Sequence, residues 1–236
     1  MKKSLIFSLG VLFILIPATL FLGTRLTGRM YYLTSSLIVI ETMLPFFFSF
    51  EQRRPKAREL VLLAVLCALS VASRIVIQFP NFKPMMGILM ITGMVFGAEA
   101  GFLTGAVSAL VSNFFFSQGP WTPWQMMAYG VGGFLGGLLF HRRRPFPGKP
   151  TLQSLCFGVF GFVSVVLLVG PLLDCSTLFT TGAKITPSFA TAVFVGGLAH
   201  NLPHAAATAL TLFFLSRPLT AKLERVCRKY GMTDKS

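Results

Sequence analysis

Residues 85–116 read MMGILMITGMVFGAEAGFLTGAVSALVSNFFF, and the number of times this stretch crosses a bilayer decides the architecture. A membrane-spanning helix needs about 20 apolar residues. The stretch is too long for one span and short for two. Six clearer apolar runs surround it, at 5–23, 31–50, 59–79, 121–140, 152–173 and 188–215. Charge breaks the tie. Basic residues collect at Lys2 and Lys3, at Arg53, Arg54, Lys56 and Arg58, at His141, Arg142, Arg143, Arg144 and Lys149, and in a tail holding Arg217, Lys222, Arg225, Arg228, Lys229 and Lys235. Basic loops stay in the cytoplasm. As a single helix, 85–116 would place the Arg142–Arg144 loop outside. As a hairpin of two short helices turning near 97–101, it puts every basic cluster inside. Only Arg25, Arg29, Lys83 and Lys184 then lie in outer loops, with Arg74 near the outer end of a span. The expected fold is an all-α polytopic membrane protein of eight helices, with both termini cytoplasmic.

Composition agrees. The 236 residues are 54% hydrophobic and 12% charged, against about 25% charged in soluble domains. Mean hydropathy is +0.73. A net charge of +14 could suggest nucleic acid, but its placement marks membrane topology instead. Cys67, Cys156, Cys175 and Cys227 form no CxxC pair or zinc quartet and read as packing residues. Gly148-Lys149 is followed by Pro150, so there is no nucleotide-binding loop. No metal or cofactor is expected. The first apolar run exceeds the ~7–15 residues of a signal-peptide core, so a retained helix is expected.

Small residues recur at helical spacing. Gly93, Gly97, Gly101 and Gly105 run through the hairpin, and Gly132/Gly136 and Gly133/Gly137 through the helix after it. Such stripes let membrane helices approach closely, most often inside one protein. Ala64, Ala68 and Ala72 form a third stripe, for packing or for a partner subunit.

Three outer loops are polar: 78–84, 113–121 and 174–187. The second continues into Gln118-Gly119-Pro120-Trp121-Thr122-Pro123-Trp124-Gln125, which holds both tryptophans. Tryptophan collects in interfacial belts. The flanking Gln, Thr and Pro residues also suit a pocket that is mostly apolar with a few placed polar groups. Loops on a rigid scaffold carry binding residues, and the cytoplasmic loops are plain basic connectors. Ligand capture from outside is therefore expected. Arg74 either snorkels or serves the pocket. Glu41 lies mid-span and needs a proton or a partner. His200 and His204, four apart, fit a metal pair but lack a third ligand; intramembrane hydrogen bonding is the stronger reading. Pro203 is expected to bend the last helix beside a cavity.

The segment from Asn81 to Gly87, the glycine-spaced hairpin, Asn113-Phe114-Phe115-Phe116 and the tryptophan loop resemble the substrate-binding S component of an energy-coupling factor (ECF) vitamin transporter. The resemblance spans roughly 59–230. It implies a six-helix core at 59–216, two additional N-terminal helices with a basic loop at 1–58, and a basic cytoplasmic tail at 217–236. It implies a protein of the bacterial cell membrane that is not an enzyme. Such a subunit captures a vitamin from outside and delivers it by toppling when docked on a transmembrane coupling protein with two ATPases. It assigns substrate binding to Asn81, Lys83 and Pro84, to Asn113, Gln118, Trp121, Thr122, Trp124, Gln125 and Tyr129, and to Asp174, His200 and His204. It assigns partner docking to Ala64, Ala68 and Ala72. Within the family the chain looks most like components assigned to cobalamin or related corrinoids, with riboflavin or another vitamin or nucleobase-like precursor as the alternative. An intramembrane hydrolase built on Glu41, His200 and His204 lacks a clustered acid–base set. A proton-coupled secondary transporter would favour inverted repeats, and none is visible.

Overall fold

The computed structural model describes residues 2–25, 31–143, 145–181 and 184–232. Arg29, Arg144 and Lys235 of the charge pattern lie outside the described residues, as do 182 and 183 of the third outer loop. The described residues form eight helical rods and no strand: α1 (2–25), α2 (Tyr31–Gln52), α3 (Ala57–Val76), α4 (Met85–Phe96), α5 (Ala98–Phe116), α6 (Thr122–Phe140), α7 (150–180) and α8 (Pro187–Lys229). Five are long and apolar enough to cross a membrane: Ile6–Gly23, Leu33–Gln52, Ala57–Val76, Ala98–Phe116 and Pro150–Thr180.

The 85–116 stretch is a hairpin, but a lopsided one. The chain reverses at a single residue, Gly97, whose φ of +98° only glycine adopts without strain. α5 keeps 19 residues, whereas α4 has 12 and reaches only about 18 Å. So short a helix cannot cross lipid alone. α4 is instead enclosed by α3, α5, α6 and α8, with Met85, Met86, Leu89, Met90 and Ile91 fully buried.

The glycine stripes explain how α4, α5 and α6 fit together. In lipid, apolar side chains gain little by leaving their solvent, so helices hold through close van der Waals packing. A Cβ on Gly93 or Gly101 would collide with the Gly133 carbonyl. One on Gly105 would meet the Tyr129 carbonyl, and one on Gly137 the Ala98 backbone. The two stripes face each other backbone to backbone and serve internal packing.

α1 packs on α2, and α2 on α5 and α6. Phe7 stacks on Phe48 at 4.4 Å. Thr19 Oγ1 donates to Glu41 Oε1 at 2.5 Å, giving the mid-span acid its partner. Phe46 stacks on Phe102 at 4.1 Å and meets Phe134 edge-on. Two π-helical turns, Val11–Leu15 and Val165–Val169, each end two residues before a proline, Pro17 and Pro171. The wider turn accommodates the missing proline N–H and its ring.

α8 runs through Pro203 and Pro218 as one helix. It departs from expectation in its length, continuing past residue 215 to Lys229, so the described part of the basic tail is largely helix. Leu223 and Cys227 are buried, Arg58 Nη1 donates to the Tyr230 carbonyl at 3.2 Å, and Lys56 Nζ donates to that of Gly231 at 2.7 Å. These contacts to the α2–α3 connection and the first turn of α3 give the helix a surface to extend along.

Candidate functional site

A cavity of about 550 Å³ opens where the 77–84 loop, the start of α6, the end of α7 and the first half of α8 converge. Its size suits a drug-sized ligand, for which pockets span about 300–1,000 Å³. The basic residues at 53–58, 141–143 and 225–229 lie at the opposite ends of α3, α6 and α8.

Seven of the sequence-derived site residues line the cavity: Asn81, Lys83, Gln125, Tyr129, Asp174, His200 and His204. Asn81 turns the loop in the left-handed region, at φ +58°, which asparagine tolerates better than most residues. Lys83 Nζ donates to the Ile77 carbonyl at 2.6 Å, closing that loop. Burial, with Arg74 nearby, holds its ammonium below the usual lysine range.

Six of the residues do not line the cavity: Pro84, Asn113, Gln118, Trp121, Thr122 and Trp124. Pro84 precedes the first turn of α4. Trp124 is buried and stacks on Phe179 at 5.3 Å, tying the start of α6 to the end of α7. Trp121 is partly exposed beside Gly119. Asn113, 1% exposed, is the centre of a polar network behind the cavity wall. Its Oδ1 accepts from Arg74 Nη1 at 3.2 Å, and its Nδ2 donates to Gln125 Oε1 at 2.7 Å and Thr122 Oγ1 at 3.2 Å. Thr122 Oγ1 donates to Gln118 Oε1 at 2.9 Å, and Gln118 Nε2 to the Leu110 carbonyl at 3.0 Å. The tryptophan loop thus supports the wall and orients Gln125.

Arg74 belongs to the cavity. Its Nη1 also reaches Ser112 Oγ at 2.5 Å, and its guanidinium lies 4.6 Å from the Phe116 ring centroid. On the far wall, Asn201 Nδ2 donates to Asp174 Oδ2 at 2.9 Å. Gly197 makes this geometry possible, because a Cβ there would overlap the Asp174 carboxylate. His204 is 6% exposed, tilts against Tyr129 at 5.8 Å, and leaves Nε2 buried without a hydrogen-bond partner. A buried polar atom left unpaired costs about 1–3 kcal/mol; on a cavity wall, a ligand can satisfy it.

Asn201, Gly196, Gly197 and Val193 were missed by the sequence reading, yet they carried a signal. Val193, Gly196, Gly197, His200, Asn201 and His204 follow the spacing of one helical face, and all six line the cavity. Asp174, His200 and His204 share that cavity, but no group of three potential metal ligands is found among the described residues.

A family model described as "ECF-type riboflavin transporter, S component" matches residues 55–221 of the chain. No curated protein and no solved structure matches it.

Proposed function

The chain belongs to the ECF-type riboflavin transporter S-component family, and from this premise we propose that it captures riboflavin in the cavity between α6, α7 and α8. As a member of that family it is a membrane-bound, substrate-specific transporter subunit rather than an enzyme. The observation that carries the substrate reading is the cavity itself: about 550 Å³, with Tyr129, Leu173 and Val193 as apolar wall and Asp174, Asn201, His200, His204 and Gln125 as polar fringe. A flavin has a flat heteroaromatic body with an imide edge of one N–H between two carbonyls, and a hydroxylated side chain. Asp174 accepts from a donor on such a ligand. The His204 ring and the amides of Asn201 and Gln125 serve its carbonyls and hydroxyls, and Arg74 and Lys83 supply further donors. A corrinoid is several times larger than a flavin, so the cavity volume favours the flavin.

The cavity faces outward and both termini face the cytoplasm of a bacterial cell. The positive-inside rule supports this, because the basic clusters sit at the end away from the cavity. The docking face for the coupling protein is α3. Ala64, Ala68 and Ala72 are exposed, flanked by exposed Leu60, Val61, Val65 and Leu69. The N-terminal helices attach on the α5–α6 side and leave this stripe open. A smooth small-residue surface lets a partner helix approach closely.

Ala68→Leu is expected to leave riboflavin binding intact and to reduce co-purification with the coupling protein and its ATPases several-fold. Undiminished co-purification would remove α3 as the docking face. In proteoliposomes, uptake is expected to need ATP and the added coupling subunits; uptake driven by an ion gradient through the purified chain alone would refute the assignment.

A further inference from the structure

We propose that the basic basin at the end opposite the ligand cavity is a binding site for the phosphate of an anionic lipid headgroup. The inference rests on the membrane location and on the basin's geometry, and is independent of which vitamin the outer cavity takes.

The basin has a volume of about 840 Å³, larger than the ligand cavity, and lies between the α2–α3 connection, the α4–α5 turn, the end of α6 and the last turns of α8. Six Lys/Arg residues line it against three glutamates. Two of those glutamates are committed to one cation. Arg53 Nη2 pairs with Glu59 at 2.5 Å, its Nη1 lies 3.7 Å from Glu99, and the same Nη1 donates to the Phe96 carbonyl at 3.0 Å. Arg53 therefore ties the α4–α5 turn to α3 and is not available to a ligand. Arg54, Arg142 and Arg143 form no ion pair among the described residues. His141 adds no charge: burial first, then Arg142 and Arg53, keep its ring below the usual histidine range, although its Nδ1 contact to the Met94 carbonyl and Glu99 oppose this.

The guanidiniums come from two separate connections, one before α3 and one after α6, and converge on one concavity. Planar guanidinium forks match phosphate oxygens in pairs. Both rims hold an arginine at positive φ, Arg54 at +48° and Arg142 at +59°, a region non-glycine residues occupy only a few per cent of the time. Basic pockets between membrane helices on the cytoplasmic side suit lipid headgroups. A lipid is favoured over a free anion by what lies beside the arginines. Leu138 lines the basin and is 54% exposed, and Leu139 next to it is 43% exposed. An acyl chain can lie on that apolar surface beneath a headgroup held by Arg142 and Arg143, whereas a soluble phosphate makes no use of it.

The test is lipid retention by the purified chain, measured by native mass spectrometry after exchange into equal phosphatidylglycerol and phosphatidylcholine. The expected result is preferential retention of phosphatidylglycerol, reduced several-fold in the double variant R142Q/R143Q and unchanged in R217Q/K222Q, which removes two exposed charges of α8 outside the basin. Gel filtration of both variants checks their fold, and none of the four side chains makes a hydrogen bond or ion pair among the described residues. Equal retention of the two lipids, or undiminished retention in R142Q/R143Q, overturns the proposal. Binding of inorganic phosphate without any lipid preference assigns the basin to a free anion and also overturns it.

Discussion

Gly133→Val is expected to destroy the folded protein as recovered in detergent, with Gly101→Val close behind. The Cβ of residue 133 would run into the backbone of Gly101, and that of residue 101 would lie 2.6 Å from the Gly133 carbonyl carbon and 2.8 Å from the Gly93 Cα. The obstacles are main-chain atoms of neighbouring helices, so no side-chain rotation relieves them. Overpacking a well-packed core costs about 1–3 kcal/mol. Here α4, α5 and α6 must separate as rods, which places the cost at about 3 kcal/mol or more. Part of the contact that holds helices together in lipid is lost at the same time. A drop of about 10 °C in Tm, or loss of a monodisperse gel-filtration peak, is the expected readout. Gly10→Val is the control, because a Cβ at Gly10 meets nothing within 4 Å. A Gly133→Val protein as stable as the Gly10→Val protein would mean that the helices do not touch through these glycines.

The largest effect on ligand binding is expected from Asp174 and from the glycine that makes room for it. Asp174→Leu removes the carboxylate facing the cavity and leaves the buried Asn201 amide without its acceptor. Hydrogen bonds to charged groups contribute about 1.5–3 kcal/mol, so riboflavin affinity should fall between about 10- and 150-fold. Gly197→Ala leaves every polar group in place and only displaces the carboxylate. It should weaken binding in the same direction while preserving thermal stability better than Gly133→Val, because the clash is with a side-chain end. Wild-type affinity in both variants, by titration calorimetry, would take the Asp174 wall out of the site.

The helical order was legible in the sequence because two independent regularities agree. Apolar runs set the number of rods, and the positions of Arg53, Arg142 and Arg228 set which ends belong together; the structure gathers all three around one basin. The glycine spacing announced close approach, and the turn was expected near 97–101, where the structure puts it at Gly97. The length of α8 was not legible, because hydropathy falls where its charged residues begin while helix geometry does not; burial of Leu223 and Cys227 carries it onward. In the site, the outer loops were found as regions, but emphasis fell on the tryptophans. A ring's identity says that it is buried or interfacial, not which neighbour it meets, and Trp124 meets Phe179. The α8 face was half seen through His200 and His204. Asn201 between them carries no unusual chemistry until Asp174, 27 positions earlier, is brought to 2.9 Å. That pairing depends on α7 packing against α8, which local sequence does not encode.

What the cavity between α6, α7 and α8 holds decides the proposed function. The purified chain, stripped of ligand, should quench riboflavin fluorescence with one-to-one stoichiometry, and Asp174→Leu should right-shift the titration while cyanocobalamin fails to compete. If the wild-type chain leaves riboflavin fluorescence unchanged, or if cyanocobalamin displaces the flavin at equal concentration, the flavin-capture account is contradicted.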